Sequence, residues 1–353
     1  MNASDPSAAA DAQHAMLGIE QERDRFEPTA HADAQWFASA GLGLFVHWGI
    51  SCVHGDIDLS WGMIANKPWG GNTIPPAAYF PLAERFAPQR YDPDAWLAPA
   101  AAAGFRYAVM TTRHHDGYAM WPSEQGGFGT RTHMDGHDLV RPFVDACRRH
   151  GLKVGLYYSP PDWYWNRHHM SFNYRGPALG LDLQPCTVAP EPEGWQERYR
   201  AYVRAQIIEL LTRYHPVDLL WFDGGPPVMS IDEIRRYNPA IVINPRMHGY
   251  GDYKTAECKM PEAALAGWWE LCEIWPECGW GYAHRGGERY RSLDWMLPRL
   301  GQVRRWGGNY LINVAPRPDG TLPDAYYQRM QELIALGGFP RCIEGQASSS
   351  ASA

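Results

Sequence analysis

The chain has 353 residues, 45% of them hydrophobic and 20% charged, with a net charge of −7. That composition belongs to an ordinary folded protein, long enough for one large α/β barrel or two smaller domains. It holds no basic tract of the kind that carries nucleic acid, and no apolar run approaches the length of a membrane span.

Residues 1–30 are polar and Ala-rich, without the apolar stretch of a signal peptide. They are expected to be disordered, and the default expectation for the chain is cytoplasmic. One catalytic unit is expected over 31–343, and 344–353 reads as a disordered tail. Strands are predicted at Gly43–Trp48, Tyr107–Thr112, Lys153–Ser159, Asp218–Phe222, Ile241–Asn244 and Tyr310–Val314, with further strands of unclear limits near 254–275. Helical patterns lie between them. Asp138 caps a segment with Leu139, Phe143 and Cys147 at i, i+4 and i+8, and Gly151 stops it. Tyr199, Val203, Ile207, Leu210, Leu211 and Tyr214 form a second stripe. Nearly continuous apolar strands separated by such helices predict a parallel sheet, and their number favours a (β/α)8-like barrel. The stretch from Asp162 to Gly194 is too long for a plain connection and reads as a lid.

The strand ends carry the chemistry. They are His47-Trp48-Gly49, Arg113-His114-His115-Asp116-Gly117, Tyr157-Tyr158-Ser159, Asp223-Gly224-Gly225 and Asn244-Pro245-Arg246. Parallel barrels build active sites from the C-terminal ends of their strands, so these residues would meet in one ring. Asp223 ends a buried apolar run, and the bland alternative for it is a helix cap. A metal held by His47, His114, His115 and Asp223 is one possible chemistry. Adjacent histidines on a strand face opposite ways, however, which speaks against it. Seven cysteines without a CxxC pair give neither a zinc knuckle nor a disulfide framework. The other chemistry is carbohydrate hydrolysis. Sixteen Trp and nineteen Tyr offer faces for sugar rings, although most must simply fill the core. Retaining glycosidases need a second carboxyl about 5–5.5 Å from the nucleophile. Glu257, Glu262, Glu270, Glu273 and Glu277 all qualify, and periodicity does not choose among them.

With these segments in hand, the chain resembles the α-L-fucosidases of glycoside hydrolase family 29. The matching pieces are Gly43-Leu-Phe-Val-His-Trp-Gly49, Arg113-His-His-Asp-Gly117 with Trp121-Pro-Ser123, and Gly155-Leu-Tyr-Tyr-Ser159. Asp218-Leu-Leu-Trp-Phe-Asp-Gly224, Trp269-Glu-Leu-Cys272 with Trp280-Gly-Tyr282, and Gly308-Asn-Tyr-Leu-Ile-Asn-Val-Ala-Pro316 follow in the family's order.

The resemblance implies a (β/α)8-like barrel and retaining hydrolysis of terminal α-linked L-fucose, with no metal and no cofactor. It places Asp223 on the nucleophile, and His47, His114, His115, Tyr157, Trp221 and Arg246 on the fucose subsite. Trp61 and Trp280 match aromatic positions that close that subsite. For the acid/base, Lys254-Thr-Ala-Glu257 fits one local pattern of the family and Trp269-Glu270 another. Glu257 is favoured, with Glu270 the alternative, and the acid is expected to be protonated at rest.

Two departures stand out. Ser60-Trp61 stands where the family usually has Glu-Trp, and the family's usual C-terminal β-sandwich is expected to be either absent or cut away in a shortened form. The rival readings are a related retaining glycosidase with another sugar preference and a catalytically impaired sugar-binding homologue. The expected partner is a small or oligosaccharide substrate carrying L-fucose; the oligomeric state stays open.

Overall fold

The computed structural model describes residues 6–19 and 26–339. The expected tail at 344–353 lies outside the described residues. Eight strands form the sheet: β1 (Leu42–Val46), β2 (Tyr107–Arg113), β3 (Lys153–Tyr158), β4 (Leu219–Phe222), β5 (Val242–Ile243), β6 (Lys254–Glu257), β7 (Trp269–Ile274) and β8 (Asn309–Val314). Their order is β5-β4-β3-β2-β1-β8-β7-β6, and every pairing is parallel. Sequence order thus runs around a (β/α)8-like barrel with one seam, between β5 and β6. The two strands of unclear limits are β6 and β7.

The longer helices are α1 (Pro6–Met16), α2 (Pro93–Ala102), α3 (Val140–Arg149), α4 (Trp195–Arg213), α5 (Ile231–Arg235), α6 (Leu293–Arg305) and α7 (Asp324–Ala335). Helices α2 to α5 follow β1 to β4, and α6 and α7 follow β7 and β8. Among the described residues none follows β5 or β6, which makes the barrel irregular. As the pattern predicts, the Asp138 carboxylate accepts from the first N–H groups of α3, Val140 at 3.0 Å and Arg141 at 2.9 Å. In α4, Tyr199, Val203, Ile207, Leu210 and Leu211 are the buried stripe.

Period-two alternation sorts the strands into two cores. Phe45, Tyr107, Val109, Tyr157, Leu219, Trp221, Val242, Cys272 and Leu311 fill the barrel interior. The alternate positions pack outward against the helices, as Leu44, Ala108, Leu156, Leu220 and Ile312 do.

The expectation of disorder over 1–30 needs correction for the described part. Residues 6–16 form α1, which an Ala-rich sequence favours. Further on, Phe26 bridges to Gly251, and the Thr29 N–H donates to Asp252 Oδ1 at 2.7 Å. Asp252 also accepts from Ile243 N–H at 2.8 Å, so this segment and its carboxylate pack into the β5–β6 seam. Among the described residues no helix is long and apolar enough to cross a membrane.

Candidate active site

Leu219, Trp221 and Asp223 stand at i, i+2 and i+4, so alternation carries the carboxylate to the top of the barrel interior. Gly224, directly after it, has φ +102°, a left-handed conformation that suits glycine. A side chain there would run into Pro161 Cγ at 2.7 Å. The same alternation in β1 puts His47 two residues above Phe45, and in β8 puts Asn313 two above Leu311.

Around Asp223 the donors converge. Tyr157 donates its hydroxyl to Oδ2 at 2.8 Å, and Arg246 donates from Nη1 to Oδ1 at 3.1 Å. The other terminal nitrogen of Arg246 is hydrogen-bonded to Glu257 Oε2. Glu257 is the last residue of β6, so both carboxyls stand at the C-terminal mouth. The Arg246 guanidinium lies over the Trp221 ring at 4.6 Å, and Trp221 stacks on Tyr157 with centroids 5.5 Å apart.

The histidines are neutral. Burial pushes His47 down to about 4 and His115 down to about 4, and takes His114 well below its ordinary value. His47 Nδ1 lies 2.7 Å from Asn313 Oδ1, while the Asn313 amide donates to the Trp280 carbonyl at 2.8 Å. That orientation assigns the proton to Nδ1 and leaves His47 Nε2 as an acceptor. Ser159 donates to the Pro161 carbonyl at 3.1 Å and accepts from His115 Nδ1 at 2.6 Å. His115 Nε2 is therefore an acceptor, buried and with no hydrogen-bond partner among the described residues, 3.6 Å from Asp223 Oδ2.

One cavity is lined by His47, Trp61, His114, Tyr157, Trp221, Asp223, Arg246, Glu257 and Trp280. His115 stands behind Asp223 rather than on the wall. Glu270 is not brought to the cavity. It is the second residue of β7, paired in register with Asn309 at the start of β8. Asn313 is four residues further along β8, so at about 3.3 Å per residue Glu270 lies about 13 Å lower along the strands. There it accepts from Tyr107 at 2.6 Å, Trp221 Nε1 at 3.0 Å and Tyr253 at 3.4 Å. Burial raises its carboxyl to about 7.

Three expectations change. His114 and His115 do not point apart, because β2 ends at Arg113 and alternation stops with it; their rings are 4.0 Å apart. Ligand atoms of His114, His115 and Asp223 come within 4.8 Å of one another. The set does not suit a cation, since the Arg246 guanidinium already sits on the Asp223 carboxylate and would repel it. Glu257, expected to rest protonated, is held ionised. Burial alone would raise its carboxyl, but Arg246 and a hydrogen bond from His14 outweigh burial and hold it well below the usual range. Of the Asp162–Gly194 aromatics, Trp163 reaches the site, 5.2 Å from Trp61 and 5.3 Å from His115. Tyr164, Trp165 and His169 pack instead on Phe128, Tyr202 and Trp195.

Sequence reasoning missed Phe45, Gln13, His14 and Leu17 on the cavity wall and Asn313 behind His47; Ser159, named at the end of its strand, supports His115. Alternation from His47 would have found Phe45. Nothing in the pattern of residues 6–19 signals a place in the site.

Two carboxyls sharing one cation at the mouth of a parallel barrel, walled by aromatics and neutral histidines, define a glycoside hydrolase. The family model described as Alpha-L-fucosidase matches residues 12–336, and the chain belongs to that family. Tissue alpha-L-fucosidase of Bos taurus is 29% identical over 347 residues, covering 88% of this chain and 68% of its own. Alpha-L-fucosidase isoenzyme 1 from Paenibacillus thiaminolyticus superposes with a TM-score of 0.67 at 28% identity, covering 86% of this chain and 75% of that one. Thermotoga maritima alpha-fucosidase in complex with fucose gives 0.67 at 27%, with 88% and 76% covered.

Proposed function

We propose that this retaining exo-α-L-fucosidase uses Asp223 as nucleophile and Glu257 as acid/base. The observation that carries the assignment is the single guanidinium of Arg246 touching both carboxyls. A guanidinium is small, so its two partners are near neighbours, as double displacement requires at about 5–5.5 Å.

In the first step an Asp223 oxygen bonds to the anomeric carbon as the bond to the leaving oxygen breaks. Glu257, which rests ionised beside Arg246 and must first take up a proton from solvent, gives that proton to the leaving oxygen. In the second step Glu257 takes a proton from water, whose oxygen displaces Asp223 and restores its carboxylate. Tyr157 and Arg246 orient the nucleophile, and Arg246 offsets the charge returning to it. His47 Nε2, as a neutral acceptor on the cavity wall, suits a sugar hydroxyl. The hydroxyl beside the reacting carbon would lie nearest Asp223, and its hydrogen bonds strengthen in the transition state. Trp61, Trp280 and Phe45 supply apolar surface for the ring and its methyl. The Thermotoga maritima relative, solved with fucose bound, supports L-fucose as the sugar.

Asp223→Ala tests the assignment. It should abolish turnover of an aryl α-L-fucoside, and azide, filling the vacated space, should restore part of it and yield a fucosyl azide. Undiminished turnover without azide would remove Asp223 from the role.

A further inference from the structure

The catalytic cavity has almost no free space. About 20 Å³ is open above Asp223, enough for a single water, which needs about 10–15 Å³ by the same kind of measure. A pyranose ring cannot enter. The filler is the chain's own N-terminal segment. Gln13, His14 and Leu17 line the cavity together with Asp223 and Glu257. His14 Nε2 lies 3.1 Å from Glu257 Oε2. Just past the nucleophile, the Leu17 carbonyl accepts from the Gly225 N–H at 3.4 Å.

On either side of the segment the cleft is open. One space, about 620 Å³, lies between Leu17, Gly18, Pro161 and Trp163. The other, about 790 Å³, lies between His14, Ala15, Glu257 and Lys259. Helix α1 and its following turn therefore divide one broad groove, and they lie where the acid must meet a leaving group.

We propose that residues 6–19 form an autoinhibitory strap that occupies the substrate's place, so that turnover requires the strap to leave the barrel mouth. This rests on Asp223 and Glu257 being the catalytic pair. Two further observations agree with it. The His14 contact helps to keep Glu257 ionised, which is the wrong state for a proton donor about to meet substrate. The strap is also built to be displaced. Eleven residues fall short of the roughly 12–15 that a helix needs to persist alone in water. Among the described side chains its docked face has only Ala10, Gln13 and Leu17 buried, with Met16 and Ile19 half-buried.

The test compares the full chain, a variant lacking residues 2–19, and the full-length double variant His14→Ala/Leu17→Arg, on an aryl α-L-fucoside. Both variants should gain about tenfold or more in kcat/KM, chiefly through KM, because the open fraction multiplies apparent affinity. A synthetic peptide of residues 6–19 should inhibit the truncated protein competitively. If the truncated protein does not fold by circular dichroism, the double variant decides. Rates equal to or below those of the full chain would overturn the strap. Asp223→Ala in the truncated protein separates the two ideas: retained turnover there would overturn the catalytic reading, whereas its loss leaves that reading intact whatever the strap does.

Discussion

Arg246 holds Asp223 at 3.1 Å through one terminal nitrogen while its other binds Glu257. Its guanidinium is buried, and its charge is shared between the two carboxyls. A lysine keeps the charge but offers a single point donor instead of a planar fork. Arg246→Lys should therefore lower kcat about 100-fold, the scale of a misplaced reacting group, while the protein stays folded. Steady-state kinetics with a thermal melt would check this; unchanged kcat would show that the bridge does not position the pair.

Glu257 and Glu270 can be told apart by leaving group. Glu257→Ala should cost about 10²–10⁴-fold on natural oligosaccharides or poor leaving groups, the usual scale of general acid catalysis, and much less on activated aryl fucosides. Glu270→Ala should show no such dependence, since the residue lies low in the barrel beneath Trp221. A steep leaving-group slope for Glu270→Ala would transfer the role.

Glu270 also predicts a pH signature. Its folded-state carboxyl is raised to about 7, by burial first, with Tyr107, Trp221 and Tyr253 pulling the other way. A carboxyl raised on folding contributes stability below its unfolded pKa, and that contribution is lost as pH climbs through the folded value. Relative to wild type, Glu270→Gln should therefore look progressively better as pH rises from 5 to 8. Melting temperatures of the two proteins across that range decide it. A flat difference would mean that Glu270 is not protonated in the folded chain.

Ser60 stands where the family usually has glutamate, and the space around it is not empty. The residue is completely buried, and its hydroxyl is hydrogen-bonded to His114 Nδ1. Ser60→Glu should thus overpack the wall, costing about 1–3 kcal/mol of stability, and should weaken fucose binding by displacing His114. Calorimetry with free fucose reads the second effect directly; tighter binding would show that the wall gives way and the carboxylate finds sugar hydroxyls.

How far the sequence carries depends on which physical signal each residue obeys. Strands such as β2, β3 and β8 are buried on both faces, so their apolar runs were easy to delimit. β6 was not, because Lys254-Thr-Ala-Glu257 is half-buried and lacks that run. Asp223 was readable as the abrupt end of an apolar strand. Glu257 and Glu270 were not separable, because a strand's level within the barrel depends on register, and register is a property of pairs of strands. The histidine geometry failed for a related reason: His114 and His115 lie one step beyond β2, where strand alternation no longer governs direction. Residues 6–19 gave no sign at all, since an alanine-rich polar stretch looks the same whether it floats in water or sits in a cleft.

The seam between β5 and β6 gives the site a mechanical side. Everywhere else around the barrel a ladder of backbone hydrogen bonds fixes neighbouring strands; here, among the described residues, no strand ladder crosses. Arg246 follows β5 and Glu257 ends β6, so their ion pair acts as a clasp over the gap, with Asp252 as filler below. A proton added to Glu257 would therefore loosen the clasp as well as arm the acid, tying the width of the barrel's mouth to the charge state of its own catalytic group.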